Sequence, residues 1–325
     1  MASAAPIIRR ALMYVPASSQ KMLSKAASLK VDTIAYDLED SVAPAQKTSA
    51  RHALRPILSQ PRPPNIRETC VRINSVDSGL ALEDLTEVLK GEHLDAIMLP
   101  KCQSAADLHF VTDVIRHLLP DRHPSSPSSS TPPNSKPPIR IIALIESALA
   151  VQNLPSITQA SPYLSGLVFA AEDFALDLSL TRTPSLTEFL YARSAIATAA
   201  RAANLPSTID LVCTAYKGPQ GLARLEEECR NGKGMGFNGK QCIHPSQIEV
   251  CQRVFSPGEE EVEWAVRVVV GDRNAQAMGR GAWTLDGKMI DRPVVGRCEA
   301  ILTRAEMCGV DVERVREKWK GQEPE

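Results

Sequence analysis

Eight short apolar runs, rich in β-branched residues and separated by segments of helical spacing, constrain this chain more than any other feature. They read ALMYV (11–15), TIAYDL (33–38), TCVRI (69–73), DAIMLP (95–100), IRIIALIE (139–146), GLVFAA (166–171), IDLVC (209–213) and GMGFNGKQCI (234–243). Runs apolar throughout, rather than alternating, suit strands covered on both faces, and helical stretches such as LTEFLYARSAIATAARAA between them supply the crossovers of a parallel sheet. Eight such units in about 235 residues match the usual size of a (β/α)8 barrel. A doubly wound sheet would alternate in the same way, but no G-x-G-x-x-G loop follows the first run. The expected fold is therefore α/β, a TIM barrel.

The stretch at 120–138, PDRHPSSPSSSTPPNSKPP, holds seven prolines and six serines and can supply neither core nor regular helix. Barrel strands lie on both sides of it, so it reads as a disordered insertion within a barrel domain of residues 1–256 rather than as a boundary. Residues 257–325 then form a C-terminal helical extension, read as two helices joined by a Gly-rich turn. Its apolar positions Val262, Ala265 and Val269, and Ile290, Val294, Val295 and Cys298, have no place around a closed barrel and call for a covering partner.

Composition narrows the function. With 37 Lys and Arg against 38 Asp and Glu, no basic field exists to attract nucleic acid or anionic lipid. No apolar stretch has the length of a membrane span. The eight cysteines are scattered without a C-x-x-C pair, which suits reduced thiols in an intracellular compartment. The opening MASAAPIIRR, with two arginines and no acid, is compatible with a short mitochondrial presequence, and the choice between mitochondrion and cytoplasm stays open.

Barrels of this kind gather their chemistry at the C-terminal ends of the strands. There the chain places Asp37, Glu39 and Asp40 after the second run, Arg72 in the third, Lys101 after the fourth, Glu146 after the fifth, Glu172 and Asp173 after the sixth, and Ile243 and His244 after the eighth. Carboxylates converging from separate strands repel one another unless a cation lies between them. An oxygen-rich set with few histidines and no paired cysteines favours a hard ion such as Mg2+. Taken singly, each acid has a plainer use: Glu146 beside the next helix, Asp173 as the N-cap of the FALDLSL segment, Asp37 or Glu39 against a loop lysine. His244 reads best as a satisfied loop histidine, and the glycines of GMGFNGKQ as turn formers. Arg72 is harder to explain without an anion to meet.

RRALMYVPASSQKMLSKAASLKVDTIAYDLEDSVAPAQKTSAR, CVRINSVDSGLALEDL, IMLPK, ALIESALAV, FAAEDFALDLSLTRT, LYAR and MGFNGKQCIHPSQI together closely resemble the citrate lyase beta-subunit-like family, within the HpcH/HpaI aldolase/citrate lyase group. The resemblance runs from about Arg9 to Met307, broken only by the Pro/Ser stretch. It implies a Mg2+-dependent TIM barrel, assembled as a homotrimer with exchanged C-terminal segments, that makes or breaks a carbon–carbon bond between an acyl-CoA enolate and a 2-oxo acid. By matching motif positions, Glu146 and Asp173 resemble the family's metal ligands and Arg72 its substrate arginine. Asp37 and Glu39 are candidates for the shell around the ligands. Tyr14, Lys21, Lys25, Ile243 and His244 resemble its CoA-binding residues, and Asp291, in GKMIDRP, resembles a catalytic aspartate. The chain departs from the family pattern at Ala17, where a glycine is usual, and at Ser147, where a threonine is usual.

The implied reaction is a retro-Claisen cleavage of a 3-hydroxyacyl-CoA, such as (S)-citramalyl-CoA, to acetyl-CoA and pyruvate, with malyl-CoA lyase, malate synthase or thioesterase chemistry as side activities. A CoA-independent, metal-dependent aldolase of 4-hydroxy-2-oxo acids is an alternative, against which stand the lysine pair and Asp291. A catalytically silent CoA-ester-binding protein is another, against which stands the complete set Glu146, Asp173, Arg72 and Asp291.

Overall fold

Each apolar run becomes a strand of one closed sheet. The computed structural model describes residues 7–124 and 136–325. In chain order the first half has β1 (Ala11–Pro16), α1 (Gln20–Ala26), β2 (Val31–Asp37), α2 (Lys47–Leu58), β3 (Ile66–Arg72), α3 (Ala81–Val88), β4 (Ala96–Leu99) and α4 (Ala105–Leu118). Then come β5 (Arg140–Ile145), α5 (Ala148–Gln152), α6 (Leu154–Gln159), β6 (Leu164–Phe169), α7 (Ala171–Leu178), α8 (Leu190–Ala202), β7 (Ser207–Asp210), α9 (Gly218–Gly234), β8 (Gly239–Cys242) and α10 (Ile248–Val254). Every strand runs parallel to its neighbours, and β8 closes on β1 with Leu12 opposite Gln241. This is the expected (β/α)8 barrel. Leu12, Ala35, Cys70, Met98, Ile142 and Leu144 pack inside it with almost no exposure. Each large apolar side chain so buried contributes about 1.5–3 kcal/mol, which is why the runs are apolar on both faces.

Strand ends differ from the reading of the sequence. β6 stops at Phe169 rather than at 171, and α7 starts at Ala171. β7 begins at Ser207 and ends at Asp210 instead of spanning 209–213, and β8 occupies only the last part of 234–243. Buried polar residues, Ser207, Thr208, Lys240 and Gln241, belong to these strands and break the apolar pattern.

Matched charges fill the N-terminal end of the barrel. Glu68, buried in β3, takes Arg9 Nε and Nη2 at 2.7 Å each, Thr33 Oγ1 at 2.9 Å and Arg140 Nη1 at 3.2 Å. Burial alone would raise its carboxyl, but the Arg9 guanidinium outweighs that and carries it down to about 2. Asp32 receives the backbone N–H, Nε and Nη2 of Arg10. Between sheet and helices, Asp210 is forked by Arg193, and the fully buried Lys240 Nζ lies 3.2 Å from Glu228.

The insertion enters at this same end, between α4 and β5. Its residues 125–135, like residues 1–6, lie outside the described residues. Its near flank forms a short 3-10 turn, Pro120–Arg122, and Arg122 Nε donates to the Pro137 carbonyl at 2.8 Å, tying the two feet together.

Residues Arg253–Glu325 form a second compact unit. It contains α11 (Glu259–Ala277), the antiparallel pair β9 (Trp283–Leu285) and β10 (Lys288–Ile290), α12 (Arg292–Met307) and α13 (Val312–Lys318). Three helices and a hairpin thus replace the two helices expected. The turn is Asp286–Gly287, at φ +49 and +72, a pair of positive values that an Asp-Gly turn supplies. The apolar faces thought to need a partner are covered from within: Val262, Ala265, Val269, Ile290, Val295 and Cys298 share this unit's own core, with Val294 packed against it. The argument for a partner from those faces therefore falls.

Candidate active site

Six carboxylates meet at the C-terminal rim, and most are already neutralised. Asp37, the last residue of β2, receives Arg72 Nε on one oxygen and Nη2 on the other, both at 2.7 Å. Burial opposes its ionisation, but the Arg72 bonds hold the carboxyl below its usual range. Glu39 is gripped from two sides: Lys101 Nζ is 2.5 Å from Oε1, and Arg72 Nη1 is 2.8 Å from Oε2, an oxygen not aligned to accept a hydrogen bond. Asp40 has only longer contacts, 3.7 Å to Arg72 and 3.6 Å to Lys101. Glu172 is paired with Arg182, which also bonds the Val212 carbonyl.

Two acids remain. Glu146, directly after β5, is 4% exposed and accepts one hydrogen bond, from the Lys101 backbone N–H at 3.1 Å. Burial pushes its carboxyl up, the Lys101 N–H opposes this in part, and the charges of Glu39 and Asp173 add to the rise, which reaches about 8. Asp173 lies in the first turn of α7, half-buried, and has no partner among the described residues. It does not cap the helix, since Ala170 holds the N-cap position. A buried carboxylate repelled by a second, each with free oxygen, suits a hard divalent ion. The chemistry of the donors fits Mg2+, which binds through one or two carboxylates and leaves its other positions to water or substrate. No cluster of three or more His, Cys, Asp or Glu among the described residues is arranged to hold an ion, so the protein would supply these two.

Arg72 closes the other side. It ends β3, with its guanidinium 4.8 Å above the Tyr14 ring. Tyr14 OH donates to Gln241 Oε1 at 2.8 Å, while Gln241 Nε2 donates to the carbonyls of Phe169 and Asp210. Burial holds the Tyr14 hydroxyl protonated far above the ordinary tyrosine range. The fork to Asp37 takes Nε and one N–H of Nη2, and Nη1 turns toward Glu39, so that one N–H remains on each terminal nitrogen.

A cavity of about 460 Å3 opens above these groups, lined by Tyr14, Arg72, Asp173, Gln241 and Ile243 among others. Lys21 and Lys25 are exposed on α1, on either side of Met22, which lines the cavity. His244 is exposed, stacks on Tyr216 at 5.0 Å and accepts from the Ser246 N–H through Nδ1, as a capping histidine does. Tyr14, Ile243 and His244 thus stand along the β8–β1 seam, with the two lysines on the helix that follows β1, whereas Glu146 and Asp173 follow β5 and β6. Asp291 belongs to the C-terminal unit, where it caps α12 through Val294 N at 3.2 Å.

Reading the sequence assigned no task to Lys101, Gln241 or Arg182. Lys101 stood at a strand end in IMLPK, where the first residues of a loop face the site, and that position was the available signal. Gln241 was hidden in a stretch read for its glycines.

The family model described as HpcH/HpaI aldolase/citrate lyase matches residues 10–245. The chain is 35% identical over 312 residues to the mitochondrial citramalyl-CoA lyase of Homo sapiens, covering 92% of this chain and 86% of the relative. It is 34% identical over 307 residues to the citrate lyase subunit beta of Escherichia coli strain K12, covering 93% and 95%. Among solved structures, CitE from Mycobacterium tuberculosis in complex with magnesium, acetoacetate and coenzyme A superposes with a TM-score of 0.70 at 31% identity, over 93% of this chain and 99% of that one.

Proposed function

The chain belongs to the HpcH/HpaI aldolase/citrate lyase family, and we propose that this carbon–carbon lyase is Mg2+-dependent and cleaves a 3-hydroxyacyl-CoA, (S)-citramalyl-CoA above all, to acetyl-CoA and pyruvate. One observation supports this most: of the rim carboxylates, Glu146 and Asp173 are the two without a cationic partner among the described residues, and Asp173 lines the cavity that Arg72 also lines. Held there, Mg2+ would act as a Lewis acid toward the hydroxyl and carboxylate oxygens of the substrate.

The remaining tasks fall to side chains. Arg72, locked by Asp37 and the Tyr14 ring, directs its two spare N–H groups at the oxygen on which charge develops, with little reorganisation to make during reaction. Asp37 and Glu39 support the arginine from behind. Lys21 and Lys25 on α1, with Ile243 and His244 across the seam, would take the CoA phosphates and pantetheine, so that the thioester end reaches into the cavity. Asp291, which keeps one oxygen without a partner among the described residues, would exchange the proton at the acetyl methyl, contributed in trans within a homotrimer. That assignment rests on the motif match alone.

The test is to supply purified protein and Mg2+ with citramalyl-CoA, malyl-CoA and 4-hydroxy-2-oxo acids, following pyruvate, glyoxylate and free CoA. Citramalyl-CoA should be cleaved fastest, and EDTA should stop it. Cleavage confined to the CoA-free acids would replace this reading with the aldolase. For Asp291, co-refolded mixtures of Asp291→Asn and Glu146→Gln subunits, each inactive alone, should regain part of the wild-type rate. Mixed oligomers that form and stay inactive would exclude action in trans.

A further inference from the structure

The connection after β4 lies across the rim in a conformation that lysine seldom adopts. Lys101 has φ +48, in the left-handed region disfavoured for residues with a Cβ. That turn directs its N–H at Glu146 Oε1, 3.1 Å away, while the following N–H, of Cys102, bonds the Leu144 carbonyl at 3.2 Å. Two successive donors of one loop therefore engage the end of β5, one holding the strand and the other the carboxylate beyond it. The side chain goes elsewhere: Nζ is 2.5 Å from Glu39 Oε1 and 3.6 Å from Asp40 Oδ1. Backbone and side chain of one residue thus touch two different acids and treat them differently. Glu39 is neutralised, with Arg72 on its second oxygen. Glu146 has one oxygen fixed by an uncharged donor and no partner on the other among the described residues.

From this we infer that Lys101 is a positioning residue that sorts the rim carboxylates, withdrawing Glu39 from the cation and presenting Glu146 to it. The inference rests on the metal reading above. Backbone strain held at such a point is accounted for by what it aims. Without the left-handed turn the N–H would leave Glu146, which would swing freely against Asp173. Without the ammonium, Glu39 would compete for the ion.

The experiment is a calorimetric Mg2+ titration of the metal-free protein as wild type, Lys101→Gly, Lys101→Val, Glu39→Gln and the Lys101→Gly/Glu39→Gln double variant, with thermal melts in EDTA to show that each is folded. Glycine and valine both remove the ammonium, but only glycine keeps the left-handed turn without penalty, so Lys101→Val should bind Mg2+ about tenfold more weakly than Lys101→Gly. Glu39→Gln should change affinity less than about twofold in the wild type and about fivefold in the Lys101→Gly background, where the freed carboxylate joins the site. Equal affinities for the glycine and valine variants, or the same Glu39→Gln effect in both backgrounds, would overturn the sorting role. Should the valine variant not fold, the Glu39 pair of measurements still decides. A wild type that binds no Mg2+ would instead remove the metal reading, and this inference with it.

Discussion

Glu68 and Glu146 are both glutamates of the barrel, 3% and 4% exposed, yet one carboxyl is carried down to about 2 and the other up to about 8. Burial is the same for both, so partners decide. At the N-terminal end Glu68 has two arginines and a threonine around it; at the C-terminal rim Glu146 has one amide N–H and two like charges nearby. A stability face can satisfy all its charges from within the chain. A face that must bind something has to leave a charge unmatched, and the fold tolerates this because the buried carboxylate can take up a proton until a cation arrives.

The contrast is broken most directly at the rim. Glu146→Gln and Asp173→Asn should each lower turnover at least about 10³-fold, while melting temperature without metal stays the same or rises, because one of two repelling acids is gone. Substantial activity in either variant would end the metal assignment. The matching change at the other end, Glu68→Gln, strands two arginines. It should cost about 3–5 kcal/mol in a denaturant titration and leave the turnover of the folded fraction unchanged. A comparable loss of turnover per folded molecule would erase the distinction between the two ends.

Acid sharpens the same comparison. Because the Glu68 carboxyl is depressed on folding from 4.5 to about 2, its contribution is complete above its unfolded value and is lost as pH falls through that window. Wild type should therefore lose about 3 kcal/mol relative to Glu68→Gln between pH 5 and 2, measured by denaturant midpoints. Glu146 has the opposite sign. Its carboxyl is raised to about 8, so at pH 7 the metal-free protein holds a proton that Mg2+ must displace. Calorimetry in two buffers of different ionisation enthalpy should show release of nearly one proton, with affinity rising about tenfold per pH unit up to about 8. The smallest effect is expected from replacing 125–135 by a short Gly-Ser bridge. Turnover should stay within about twofold and the melting temperature within about 2 °C, since the feet enter at the matched end and closure entropy varies slowly with length.

Barrel and rim were legible in the chain because a strand covered on both faces leaves a continuous apolar run, and because acids following several such runs must converge on one rim. Strand β7 was misplaced at its start, where the polar Ser207 and Thr208 are buried, and in β8 Lys240 and Gln241 are buried by pairing rather than by apolar character. No periodicity reports that. The hairpin at Asp286–Gly287 has its signal in the sequence, an Asp-Gly pair between two short runs, within a stretch that also reads as a Gly-rich turn between two helices. What one residue does through its backbone was beyond reach: Lys101 reads as an ordinary loop cation, and only its dihedral shows where its amide points.

The tie between Arg122 and Pro137 has a use in engineering. Because the entry and exit of this stretch are held together at the barrel's base, new termini opened between them would remain neighbours, and a guest domain grafted there would be attached at one point rather than wedged between two. Permuted chains or a fluorescent donor placed at this port would report on the folded barrel from the end opposite its chemistry.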